Sequence, residues 1–173
     1  MFDLPHPPQK WKIKKFPLFL QYSDLECGPA CLYMVATSYG SRLTFHYLRN
    51  MFNFSSRGVS LQQMCNVSGF IGLSSLGVHT SFKKLCEKAQ LPCIVLWRQR
   101  HFVVVYRIDN KTNNDMNKIF VYVADPSLGF VKYTEEEFIK NWITGNTDDH
   151  EKGVALLLEP APYFYQSSLR EGK

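Results

Sequence analysis

The chain has 173 residues, a net charge of +5, and is 45% hydrophobic, 14% aromatic and 20% charged, which suits one soluble globular core and excludes a disordered polymer or a fibrous repeat. No run approaches the roughly 20 apolar residues of a membrane-spanning helix, no charged-then-apolar signal peptide opens the chain, and no phosphate-binding glycine loop is present. The five cysteines are an odd number without zinc-like pairs, so a disulfide framework is not expected and a reducing, cytoplasmic setting is favoured.

Residues 1–14 carry Pro5, Pro7, Pro8, Gln9 and Lys10 and read as a flexible lead-in. Lys10, Lys12, Lys14 and Lys15 concentrate positive charge before the first core segment, as a solvated arm or a surface for an acidic leader or membrane. No basic stretch interleaves with aromatics as a nucleic-acid module would, so nucleic acid is not an expected partner. Residues 15–160 read as one domain. Residues 161–173, polar after Pro160 and Pro162, read as a tail or a linker.

The first half has helical periodicity. Cys31, Met34, Val35 and Tyr39 share a face of a helix from Gly28 to Tyr39, with Gly40 as its stop. Thr44 caps a second helix carrying Leu48, Met51 and Phe52. Ser60 with Gln63 matches a capping box and opens a third, and Ser81 opens a fourth that ends at Ala89 before Pro92.

The period then changes. Residues 93–97, 102–108, 119–124 and 154–158 are short β-rich runs, and 109–117 reads as a polar turn joining two of them into a hairpin. Thr134 and Glu137 form another capping box, leading a helix to Trp142. Helices first and a largely antiparallel sheet second predict an α+β domain.

Four pieces of this frame suggest chemistry. Cys27 falls where a loop enters the first helix, where unpaired N–H groups and the helix dipole favour a thiolate. On this segment alone, a nucleophile and a packed apolar thiol fit equally well. Cys31 lies one turn on, on the apolar face, and reads as core, as do Cys65, Cys86 and Cys93. His101 opens an apolar strand and can present its ring at the sheet end; a surface histidine fits that position equally. His6, His46, His79 and His150 have weaker cases. Asp125 ends the next strand at Asp-Pro-Ser-Leu-Gly, a sequence that also suits a plain turn. If 102–108 pairs with 119–124, His101 and Asp125 meet at one sheet end. Gln21, six residues before Cys27, carries an amide able to donate to an oxyanion. Thiol, imidazole, carboxylate and amide together are the parts of a cysteine protease.

The wording around these residues resembles the C39 family of cysteine peptidases, the N-terminal domains of bacteriocin-processing ABC exporters. That family carries a Gln, then Asp-Cys-Gly-x-Ala-Cys-Leu-x-Met; here stand Gln21 and Glu26-Cys27-Gly28-Pro29-Ala30-Cys31-Leu32-Tyr33-Met34. Gly58-Val59-Ser60, then Pro92, Ile94 and Trp97, then His101 to Val104, then Asp125, Pro126 and Gly129, then Phe138 and Trp142, and a last apolar run at 154–158, continue the likeness over roughly 15–160.

The resemblance implies a papain-like fold and cleavage after a double-glycine-type leader. Cys27 would be the nucleophile, with His101, Asp125 and the oxyanion-binding Gln21. It implies a precursor peptide as partner, its amphipathic leader helix docked in an apolar groove. Transmembrane and nucleotide-binding domains of an exporter would be further partners, holding the domain at the cytoplasmic side of the membrane. No cofactor or metal is called for. A docking module that only binds cargo is the alternative, and such modules lack the thiol that Cys27 supplies here. The sequence departs from the family at Glu26, read as support for the local loop and not as catalytic, and at 145–153, read as an inserted surface loop.

Overall fold

The computed structural model describes residues 15–113, 116–147 and 150–164. The expected lead-in at 1–14 and the tail from 165 onward lie outside these. The helical half comprises α1 (Cys27–Ser38), α2 (Phe45–Arg49) and α3 (Leu61–Phe70). It is followed by β1 (Leu73–Thr80), α4 (Phe82–Lys88), β2 (Cys93–Trp97), β3 (His101–Asn113) and β4 (Met116–Asp125). The chain closes with β5 (Gly129–Thr134), α5 (Glu135–Trp142), β6 (Ile143–Thr147) and β7 (His150–Pro160).

The capping residues act as expected. Thr44, Ser60, Ser81 and Thr134 each accept a backbone N–H three residues on, and Thr134 with Glu137 completes a reciprocal capping box. The capping box expected at Ser60 and Gln63 is only half made: Ser60 accepts the Gln63 N–H, but the Gln63 side-chain amide donates to the Asn53 carbonyl (2.9 Å). α2 stops at Arg49, short of the predicted Met51 and Phe52, because Met51 and Phe52 turn tightly through bonds to the carbonyls of Leu48 and Arg49 (both 3.1 Å).

The strands form one antiparallel seven-stranded sheet in the order β1-β7-β2-β3-β4-β5, with β6 paired to β7. Successive strand residues face opposite sides, so the sheet divides the core in two. Ile94, Phe102, Val104, Ala124, Leu156 and Leu158 pack with α1 and α3. Val95, Trp97, Val103, Val105, Val121 and Val123 pack with Phe82, Leu85, Phe138 and Trp142 of α4 and α5.

Several strands exceed the sequence reading. The 109–117 segment is no loop: β3 and β4 continue in register from Asp109↔Phe120 to Asn113↔Met116. The 145–153 segment is part of a β6–β7 hairpin, with Asn146 opposite Glu151 and Thr147 opposite His150. β1 and β5 were not foreseen. Both are recruited by pairing along their length, β1 to β7 and β5 to β4, which outweighs the Ser and Gly content of Leu73–Thr80. Phe164, in the expected tail, is buried in the α1-side core, and the Ala161 N–H donates to Gly72 O (2.9 Å). Cys31 and Cys93 are buried as expected, whereas Cys65 and Cys86 are only half-buried at the edges of the two cores; all five thiols are free.

The packing around Trp142 is tight. Its indole N–H donates to the Val154 carbonyl (2.9 Å), and a Cβ added at Gly153 would lie 2.3 Å from the indole Cε2. Gly153→Ala is expected to lower stability by about 1–3 kcal/mol through overpacking. Urea unfolding monitored by Trp fluorescence checks this, and an unchanged midpoint would show that the ring can move aside.

Candidate active site

Cys27 is the first residue of α1 and is buried at 6% exposure. Its position follows from Gly28 and Pro29. A Cβ at Gly28 would sit 2.4 Å from Val59 Cγ2, so only glycine lets the helix start this close to the residue 58–64 segment. Proline has no N–H to leave unpaired in a first turn.

His101 opens β3 opposite Trp97, and Asp125 closes β4 opposite Gly129. The β3–β4 pairing runs from Val104↔Ala124, so the two residues emerge at the same sheet end, as the hairpin reading required. The His101 Nε2–H donates to Asp125 Oδ1 at 2.8 Å. With Nε2 so committed, Nδ1 is the nitrogen left for the thiol of Cys27. α1 packs directly on β3, and the Cys31 thiol donates to the Phe102 carbonyl (3.2 Å), tying the helix to the residue after His101.

Electrostatics set the protonation states. Burial alone would lower the His101 pKa, but hydrogen bonds and charge from Asp125 and Cys27 outweigh it and raise it from 6.5 to about 9. For Asp125 burial pushes upward, and the hydrogen bonds from His101 and Ser127 win, so its carboxyl stays below the ordinary carboxylate range. The ring is therefore an imidazolium facing a carboxylate at neutral pH. Burial first, then the neighbouring Cys27 and Asp125, pushes the Cys31 thiol well above its usual value; burial takes Cys93 up to about 12. Neither is suited to act as a thiolate.

Ser127 was not singled out in the sequence. Its N–H and its hydroxyl both donate to Asp125 Oδ1 at 2.8 Å, and the hydroxyl lies 3.4 Å from His101 Nε2. The signal was present in Asp125-Pro126-Ser127, because an Asp carboxylate commonly accepts the N–H two residues on in such a turn.

Gln21 lies on the segment before α1, and its backbone N–H donates to the Pro126 carbonyl (2.8 Å), so the Gln21 loop is joined to the Asp125 turn. Its side-chain Oε1 is buried without a hydrogen-bond partner among the described residues. Glu26 is buried, with one carboxylate oxygen paired to Arg49 and the other accepting the Tyr22 N–H (3.2 Å). Of the other histidines, His46 lies on α2 and His79 on β1, both exposed; His6 falls outside the described residues. A surface depression of about 320 Å³ along the β1 edge, lined by Ser74, Leu76, Lys88 and Glu159 among others, holds none of the four predicted site residues. Among the described residues no group of three His, Cys, Asp or Glu is placed to hold a metal, and no helix is long and apolar enough to cross a membrane.

The sequence pattern of the Peptidase C39 family matches residues 15–147. The chain belongs to that family. It is 27% identical over 161 residues to the Escherichia coli colicin V secretion/processing ATP-binding protein CvaB, an alignment covering 93% of this chain and 20% of CvaB. It is 28% identical over 166 residues to the probable functional amyloid protease FapD of Pseudomonas aeruginosa, covering 86% of this chain and 69% of FapD. The chain thus spans about a fifth of the length of the secretion/processing relative. A double glycine motif protease from an AMS/PCAT transporter, solved in complex with a leader peptide, superposes with a TM-score of 0.70 at 28% identity, covering 85% of this chain and 93% of that one. The peptidase domain of Streptococcus ComA superposes with a TM-score of 0.67 at 22% identity, covering 84% of this chain and 99% of that one, and shares the fold. The papain-like α+β architecture expected from the C39 family is therefore the one observed.

Proposed function

We propose that residues 15–160 form a cysteine endopeptidase domain that cuts a precursor peptide after a double-glycine-type leader. The observation that carries this reading is the arrangement of Cys27 at the start of a helix packed on β3, with the 2.8 Å bond from the His101 ring at the start of β3 to buried Asp125. The family, and the leader peptide in the similar transporter protease, support the substrate class.

In this reading the Cys27 thiolate attacks the carbonyl carbon of the second small residue. The developing oxyanion is held by the Cys27 N–H and the Gln21 side-chain amide. The His101 imidazolium gives its proton to the leaving amine, leaving the leader as a thioester on Cys27. His101 then takes a proton from water as the water attacks the thioester, and the released thiolate restores the starting pair. Asp125 keeps the ring oriented throughout and favours its protonated form whenever it carries the proton.

The names of the secretion/processing relatives support partners in the transmembrane and nucleotide-binding domains of an ABC exporter, with this domain on the cytoplasmic side. Incubation with a synthetic precursor whose leader ends in Gly-Gly, read by mass spectrometry, tests the reading. A single cut after the second Gly is expected. Replacing that Gly by Val should reduce cleavage at least about 100-fold, because a narrow slot rejects the larger side chain by clash. Equal cleavage of both peptides, or cuts scattered along the chain, would overturn the substrate assignment.

A further inference from the structure

Glu26 stands at the N-cap of α1 but does not cap it. Its side chain makes no bond to the helix N–H groups, although those groups are the usual target of an acidic residue there. It is 5% exposed, and a buried carboxylate is costly unless paired. Both of its oxygens are committed elsewhere, Oε1 to the Arg49 guanidinium of α2 and Oε2 to the Tyr22 N–H.

The two commitments converge on Gln21. The Gln21 N–H is held by Pro126 O, and the next N–H, of Tyr22, is held by Glu26. The Glu26 N–H closes the same loop on the Ser23 carbonyl (3.1 Å). Two consecutive amides on either side of the Gln21 Cα are thereby anchored, one to the turn that carries Asp125 and one to the residue before Cys27. Arg49 is itself held, its guanidinium 4.8 Å over the Phe54 ring.

We propose that the Glu26–Arg49 pair is the positioning device of the oxyanion site, fixing the backbone from which the Gln21 amide reaches the reacting carbonyl. Glu26 and Arg49 touch no substrate; they act through Gln21, and the proposal rests on the reading of Gln21 as an oxyanion donor. The consequence is a loss confined to turnover. Loosening the Gln21 loop weakens a bond made most strongly in the transition state, so kcat falls and KM does not.

The test is a double-mutant cycle on the same Gly-Gly precursor, using the parent chain, Gln21→Ala, Glu26→Gln and the double variant. Removing the Gln21 donor should cost about 10²–10³ in kcat. Glu26→Gln alone should cost about tenfold in kcat with KM within about twofold, and in the Gln21→Ala background it should cost nothing more. Alkylation of Cys27 by iodoacetamide forms no oxyanion, so its rate should be equal in all four proteins. A tenfold loss that persists in the Gln21→Ala background, or a parallel drop in alkylation, would show that Glu26 acts on the fold or on the thiol and would overturn the proposal. A Gln21→Ala variant with unchanged kcat would instead remove Gln21 as the donor, and the positioning role with it. Should Glu26→Gln fail to fold, Arg49→Lys, altered at a side chain 41% exposed, carries the same cycle with the same outcomes.

Discussion

Cys27→Ala is expected to end cleavage of a Gly-Gly precursor, with turnover falling by about 10⁴-fold or more, while the precursor still binds. The size of the loss follows from the chemistry: without the sulfur there is no thioester, and neither His101 nor Gln21 replaces a nucleophile. The fold should tolerate the change, because Cys27 makes its contacts at the start of α1 and alanine keeps the helix entry and most of the apolar volume. Cys31 cannot take over. It lies a full turn deeper, fully buried, with its thiol engaged to Phe102 O and its pKa driven upward. Quantitative mass spectrometry gives the rate, and fluorescence anisotropy with a labelled precursor gives the binding. Residual turnover within tenfold of the parent would sink the nucleophile assignment.

Asp125→Asn is expected to lower kcat by about 10²–10⁴, the usual range for losing effective acid–base catalysis, and to move the alkaline limb of the pH–rate profile. The sign is set by what the carboxylate does to the ring. Asp125 favours the protonated imidazole and contributes to lifting its pKa to about 9. An amide lacks the charge, so the ring in the variant loses its proton at lower pH, and the limb near pH 9 moves toward neutrality. A second consequence concerns stability. A ring whose folded pKa lies above its ordinary 6.5 stabilises the fold fully below that value, and the contribution disappears as pH climbs through about 9. The variant should lose that pH-dependent part of its stability. A profile with its limb unmoved and kcat intact would reduce Asp125 to a turn residue.

The site was more legible in the sequence than the sheet. Cys27, His101 and Asp125 could be picked out because each sits at an element end with a local signature: Gly28-Pro29 at a helix entry, an apolar run after His101, and Asp-Pro after a strand. Those signatures are short-range, and the hairpin register that unites two of them follows from a single long pairing. β1, β5 and the β6–β7 hairpin were not legible for the opposite reason. Leu73–Thr80 has Ser74, Ser75 and Gly77 in its length and becomes a strand because β7 offers it eight consecutive partners. Ser127 and Arg49 were missed for a third reason. Their roles depend on where a side chain ends in space, and Arg49 meets Glu26 across 23 residues of chain.

The alternation along β3 separates two kinds of change that evolution or an engineer could make. Phe102 and Val104 point toward α1 and the thiol, whereas Val103 and Val105 point toward α5. Substitutions among Val103, Val105, Val121 and Phe138 alter how firmly the domain holds together from the face remote from Cys27. Substitutions at Phe102 or Val104 press directly on the helix that carries Cys27. Between Phe102 and Val105 the strand thus offers two registers at alternate positions, and a thermostable form is best sought at Val103 and Val105, on the face away from α1.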